Sequence, residues 1–380
     1  MSINLLNETF ETDPADRGWE LVHTHNGSSL GTWIARTDGI PGHIRAVDGQ
    51  WQGPLFDVVP HQYYRLTFQS KAAIPGYWAA IFYDRDGKQL EADHNSGIDV
   101  SSDWIDQNIM FRAKADAAKS RLWFYPVSPE NGHAIDIRNV EINRAENDDV
   151  LAWADQLYAG IPPIAHEVPG SRWQHIPRAM EKLRNGQKLR IVILGDSIGC
   201  DTGNAPIDLL LQRHYPNCTV ELITSVRGGT GCTYYREEDK VEDYVLRYQP
   251  DLVMIIAISH GYDLEAIRDV VQQIRAGCDA EVMLASAPIA PENEMLNMLG
   301  DLEHGEALKQ RKSFLEGMER VAADEKAEFV PMRRYWNAYL AQVADEREPG
   351  WFMRDTIHAN TRGSQVAARM WENYFAPNSE

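Results

Sequence analysis

Apolar and polar residues change rhythm twice along this chain. In the first part the apolar residues come in short bursts: Tyr63-Tyr64-Arg65-Leu66-Thr67-Phe68, Trp78-Ala79-Ala80-Ile81-Phe82-Tyr83 and Arg121-Leu122-Trp123-Phe124-Tyr125. Turn-forming clusters separate them, such as Asp84-Arg85-Asp86-Gly87 and Pro129-Glu130-Asn131-Gly132. Short strands between polar turns predict an all-β sandwich. The stretch Ala134-Ile135-Asp136-Ile137-Arg138-Asn139-Val140-Glu141-Ile142 alternates cleanly and closes this unit, placed at residues 1–146.

Residues 147–186 read differently. Asp148 and Asp149 precede Val150, Leu151 and Trp153, as at a helix start. Gly160-Ile161-Pro162-Pro163 breaks that helix, and Ile176 to Leu183 predicts another. This stretch is expected to be a connector. From residue 187 to 380 the pattern is strand–helix alternation. Apolar runs at 189–194, 219–223, 251–258, 281–285 and 327–331 are separated by helical spacing, as in Leu264, Ile267, Val270, Val271 and Ile274. Val366, Ala367, Met370, Trp371 and Tyr374 mark a closing amphipathic helix. Apolar strands alternating with helices imply a parallel sheet covered on both faces.

Length agrees with two domains, because 380 residues exceed what one core usually serves. The net charge is −19, without a Lys/Arg block, which points away from nucleic acid and from an anionic membrane surface. A polyanionic polysaccharide could be held only at a local basic patch. No apolar run is long enough to span a bilayer. Met1-Ser2-Ile3-Asn4 lacks a basic, then apolar, leader, so the chain as given is expected in the cytoplasm, or secreted if a leader has been removed. The four cysteines, Cys200, Cys218, Cys232 and Cys278, match neither a zinc pattern nor a disulfide framework and are expected to be free thiols.

The first strand of the second half runs into Gly195-Asp196-Ser197-Ile198-Gly199. Ligands of open α/β sheets bind beyond the carboxyl ends of strands, so a nucleophile belongs here. An ordinary strand–helix turn with an Asp or Ser cap would read the same way. Near the other end stands Arg354-Asp355-Thr356-Ile357-His358. A hydroxyl needs a base, which His358 can supply, and a carboxylate three residues earlier can orient the imidazole. Between them Arg227-Gly228-Gly229-Thr230-Gly231 can turn backbone N–H groups toward a ligand. It lacks the Gly-Lys-Ser/Thr ending of a phosphate loop. No His-Glu-x-x-His or similar ligand spacing occurs, so no metal is expected, and His214 and His304 read as solvated helical residues.

Gly195-Asp196-Ser197, Gly231 and Asp355-x-x-His358, in this order, resemble the blocks of SGNH/GDSL hydrolases over about half the chain. The resemblance implies a three-layer flavodoxin-like domain that needs no cofactor. Its triad would be Ser197, Asp355 and His358. Its oxyanion hole would use the N–H groups of Ser197 and Gly231 and a side chain from a third block. There the sequence departs from the family's Gly-x-Asn-Asp: it reads Ala257-Ile258-Ser259-His260, and His260, ahead of Ser259, is the expected donor. Asp196, Arg227, Gly229 and Tyr234 are the candidates for substrate contact. In the first half, Leu5 to Glu11 with Gly18-Trp19 and the closing Ile135 to Val140 resemble a jelly-roll carbohydrate-binding module. Six of the 11 tryptophans lie there; most are expected in the core, and the rest could stack on sugars. Together the halves imply a carbohydrate esterase that removes acetyl or another small acyl group. The alternatives are a lipid or aryl esterase, an acyltransferase on the same fold, and a glycan-binding protein with a decayed catalytic half. Oligomeric state has no signature in the sequence.

Overall fold

The computed structural model describes residues 4–23, 30–127, 134–288 and 304–377. It divides into two compact units, Met1–Trp153 and Ala154–Glu380. The first unit is built from β1 (Asn4–Glu8), β2 (Glu20–His23), β3 (Gly31–Ile34), β4 (His43–Ala46), β5 (Gly49–Gln52), β6 (Phe56–Asp57), β7 (Tyr63–Ala72), β8 (Gly76–Tyr83), β9 (His94–Ile98), β10 (Ser101–Arg112), β11 (Lys119–Pro126) and β12 (Ile135–Arg144). These strands form two antiparallel sheets. One has the order β10-β7-β12-β4-β3 with β1 on β12; the other is β2-β5-β11-β8-β9 with β6 on β11.

Alternation sends Leu66 and Phe68 of β7 and Leu122 and Phe124 of β11 into one core, where Phe68 meets Phe124 edge-on at 5.1 Å. Trp19, Trp51 and Trp78 fill that core and Trp33 packs against it. Trp123 points the other way, as its place between Leu122 and Phe124 requires. Trp104 is half-buried, with the Arg138 guanidinium 4.1 Å from its ring. The turn at Asp84 forms as read: its Oδ1 accepts from the N–H groups of Asp86 and Lys88, and Gly87 takes φ 79°. The turn read at Pro129–Gly132 lies outside the described residues.

Helix α1 (Asn147–Ala159) carries the chain into the second unit, and α2 (Pro177–Arg184) packs on the first strand there. The order then runs β13 (Lys188–Gly195), α3 (Ser197–Asn204), α4 (Ile207–His214), β14 (Thr219–Val226), α5 (Cys232–Tyr235), α6 (Lys240–Tyr244), β15 (Leu252–Ala257), α7 (Leu264–Gly277), β16 (Glu281–Ser286), α8 (His304–Asp324), β17 (Glu328–Val330), α9 (Met332–Val343) and α10 (Thr361–Phe375). All strand pairs here are parallel, in the order β14-β13-β15-β16-β17. That is the doubly wound order whose switch point opens a crevice at the carboxyl end of β13. Every residue of β15 and β16 is buried, which is why these strands read as unbroken apolar runs. Among the described residues no helix is long and apolar enough to cross a membrane.

Candidate active site

β13 ends at Gly195, where a side chain could not fit: a Cβ would lie 1.8 Å from the Ile256 carbonyl oxygen of β15. The close approach lets the next residue reach across. Asp196 caps α3 with its Oδ1, which accepts from the Ile198 N–H at 2.9 Å. Its Oδ2 accepts from the N–H groups of Ile258 and Ser259, each at 2.9 Å, on the loop after β15. The carboxylate is fully buried. The sequence put Asp196 among the candidates for substrate contact; here it is enclosed and locks the Gly195–Ser197 turn to the neighbouring strand's loop. Ser197 is left at the first position of α3, half-buried at the crevice.

The partner loop explains the Asp-x-x-His spacing. Met353 and Ala359 form an antiparallel bridge, and the Arg354 N–H donates to the His358 carbonyl at 2.9 Å. Inside this tight turn Asp355 Oδ1 accepts from the N–H groups of Ile357 (2.8 Å) and His358 (2.7 Å). Asp355 also meets His358 Nδ1, at 2.8 Å from Oδ2 and 3.0 Å from Oδ1. The far ring nitrogen, Nε2, lies 2.8 Å from Ser197 Oγ. Burial opposes ionisation of Asp355, but the His358 hydrogen bond, the ring's charge and the two N–H groups outweigh it and hold the carboxyl well below the usual carboxylate range. Asn360 anchors the loop's far end. Its Oδ1 caps α10, while its Nδ2 donates to the carbonyls of Trp351 and Met353.

One tie across the site has no counterpart in the sequence reading. Arg354 Nη1 donates to Asp201 Oδ1 at 2.8 Å, and both side chains are only 7% exposed. Asp201 lies one turn after Ser197 on α3, and Arg354 directly precedes Asp355, with its Nε 3.8 Å from Asp355 Oδ2. A buried ion pair thus couples α3, which carries Ser197, to the loop carrying Asp355 and His358. Adjacency to Ser197 and Asp355 was its only signal in the sequence.

Gly231 caps α5, and a Cβ there would strike the Ser259 carbonyl oxygen at 2.3 Å and the His260 nitrogen at 2.7 Å. The glycine loop is thus pressed against the loop that Asp196 holds. Tyr235 ties it down further: its hydroxyl donates to the Gly195 carbonyl at 2.6 Å and accepts from the Arg227 N–H at 2.9 Å. Gly229 is exposed with φ 68°, a turn position. Arg227 and Tyr234 are brought together, with Arg227 Nη1 donating to the phenol oxygen at 2.9 Å.

His260 departs from expectation. Its Nδ1 accepts from the Cys232 N–H at 3.3 Å, which leaves the proton on Nε2. The residue is 1% exposed, and Nε2 is sealed from solvent without a partner among the described residues. In this conformation Nε2 offers no N–H to solvent. Burial pushes the imidazole down to about 4 against the partial opposition of the Asp196 charge, so the ring is neutral. His214 is exposed, as read, and its Nε2 lies 3.1 Å from Glu372 Oε1; the side chain of His304 lies outside the described residues. All four cysteines are free, and burial pushes the enclosed Cys232 thiol up, away from reactivity. Among the described residues no group of three or more His, Cys, Asp and Glu could hold a metal.

No protein-family model and no curated protein matches the chain. Among solved structures, the chain is similar to a two-domain esterase active on acetylated mannans, at 19% identity over 53% of this chain and 52% of that one, with TM-score 0.40. An acetylxylan esterase from Geobacillus stearothermophilus aligns at 16% identity over 50% of this chain and 97% of that one, TM-score 0.40. An enzymatically active domain of a bacteriophage CBA120 tailspike protein aligns at 15% identity over 36% of this chain, TM-score 0.29. The chain thus spans about half the length of the two-domain esterase and 21% of the tailspike domain.

Proposed function

We propose that the second unit is a serine carboxylic-ester hydrolase of the SGNH/GDSL type that removes acetyl or another small acyl group from a carbohydrate. The continuous hydrogen-bonded line from Asp355 through His358 to Ser197 carries the reading. In this scheme Ser197 Oγ attacks the ester carbonyl carbon while His358 Nε2 takes the hydroxyl proton. Asp355 keeps the imidazole oriented and stabilises its protonated form. The tetrahedral intermediate collapses, and the sugar oxygen leaves with the proton from His358. Water, deprotonated by the same ring, then attacks the acyl-enzyme and releases the acid and Ser197.

The backbone N–H groups of Ser197 and Gly231 are the donors assigned to the oxyanion. With His260 turned inward, Ser259 is the residue left to supply a third donor through its hydroxyl. Sugar as the acyl carrier follows from the resemblance of the first unit to a carbohydrate-binding module. Release of p-nitrophenol from p-nitrophenyl acetate tests the chemistry. Wild-type turnover lost by a factor of about 10³ or more in Ser197→Ala supports the nucleophile, whereas equal rates in both proteins remove it. Acetate release from acetylated xylan and mannan then tests the carrier. Binding of those glycans without release would favour the decayed, glycan-binding reading.

A further inference from the structure

The segment leading into α2 holds a tryptophan in a conformation that costs energy. Trp173 has φ 73°, a left-handed backbone that a bulky side chain rarely adopts. The surroundings enforce it. The Trp173 N–H donates to Glu328 Oε1 at 2.6 Å, the His175 N–H donates to Glu328 Oε2 at 2.9 Å, and the indole N–H donates to the Tyr374 carbonyl at 3.0 Å. Strain over-determined in this way collects at sites that have work to perform. The indole is thereby set in the wall of a groove of about 470 Å³, within the range of small-ligand sites.

Two guanidinium groups lie against that indole, Arg172 at 4.1 Å and Arg184 at 5.2 Å from its ring. Arg172 spends Nε and Nη2 on the carbonyls of Tyr374 and Ala376. Arg184 is exposed at the end of α2. Among the described residues neither forms an ion pair, and none of the side chains lining the groove is acidic. Glu328, which holds the Trp173 backbone, is buried and occupied by the N–H groups named above and by the Tyr374 hydroxyl. In a chain of net charge −19, a carboxylate-free groove with two cations on one ring is a local exception. Arg172 keeps only Nη1 for a further acceptor, whereas Arg184, over the same indole, can turn its in-plane N–H groups to a carboxylate. Gln174 adds an amide and Pro177 adds apolar surface, while Met180 is only 1% exposed.

We propose that this groove is a second binding site, separate from the triad, for a single acidic sugar of a glycan. The sugar's carboxylate would sit on Arg184 and on Nη1 of Arg172, and its apolar face on Pro177. Two cations around one ring suit one carboxylate rather than a repeating polyanion. The choice of a sugar rests on the carbohydrate reading above; the choice of an anion does not.

The test is calorimetric titration of the full chain with trigalacturonate, neutral xylotriose and inorganic sulfate. None carries an ester, so the measurement is independent of turnover. Trigalacturonate should bind at least about tenfold more tightly than xylotriose, and more weakly as salt is raised. Arg184→Ala should lose about tenfold or more, and Arg184→Lys should recover only part of that, with melting temperature unchanged because the residue is exposed. Equal affinity for the neutral sugar, no effect of Arg184→Ala, no binding at all, or sulfate binding as tightly as the oligosaccharide would overturn the proposal. An inactive protein that still binds trigalacturonate through Arg184 would sink the esterase reading alone.

Discussion

His260 shows how far a single side chain can be from the role its neighbours suggest. It stands beside the glycine loop, yet its one bonded nitrogen supports Cys232 and the other is enclosed. His260→Gln keeps an acceptor for that N–H, so kcat on p-nitrophenyl acetate should stay within about tenfold of wild type. A loss of 10²–10³ would restore it as an oxyanion donor. The same histidine sets a pH dependence. Its folded value, about 4, lies below the unfolded one, so it favours unfolding when protons are abundant. The stability it permits is complete above about pH 6.5 and is lost as pH falls toward 4, by at most about 3 kcal/mol. Urea denaturation at pH 7 and pH 5 should therefore show wild type losing ground to His260→Gln; parallel losses in both would contradict the sealed, neutral ring. Ser197, Asp355 and His358 were legible because each sits in a short local pattern. The position of His260 was not, because a ring's direction is set by packing from Gly231, Cys232 and Phe314, far away in sequence.

Elements differ in the same way. The parallel strands could be read directly, since strands buried on both faces leave no polar alternation to confuse them. Helix α3 could not: Ser-Ile-Gly-Cys-Asp-Thr-Gly-Asn contains two glycines and little helix propensity, and it is held by the Asp196 cap and by burial. Its brace to the His358 loop spans 153 residues of sequence, so no local pattern announces it. Breaking that brace should matter at the level of both elements. Arg354→Ala leaves Asp201 buried without its cation, which should cost about 3–5 kcal/mol of stability. Asp201→Asn keeps the shape and should cost less. In the soluble fraction of either, the acid limb of the kcat/KM profile should move to higher pH in Arg354→Ala, where a cation near the Asp355–His358 pair is gone, and not in Asp201→Asn. Identical profiles would reduce Arg354 to a scaffold residue.

For the molecule as a whole, each unit has a core of its own, and the first draws Trp19, Trp51 and Trp78 inward as its alternation required. Residues 1–153 made alone should therefore unfold in one cooperative transition; a non-cooperative melt would show that its core is incomplete. The division of labour is visible in where sequence freedom lies. Asp196 grips the loop after β15 through the main-chain N–H groups of Ile258 and Ser259, not through their side chains. Any residue with an N–H can stand at those two positions without loosening the tether. The loop's geometry is thus insulated from its own spelling, and the turn that carries Ser197 stays in place whatever side chains stand there. Divergence at that loop can retune chemistry without first having to rebuild the scaffold.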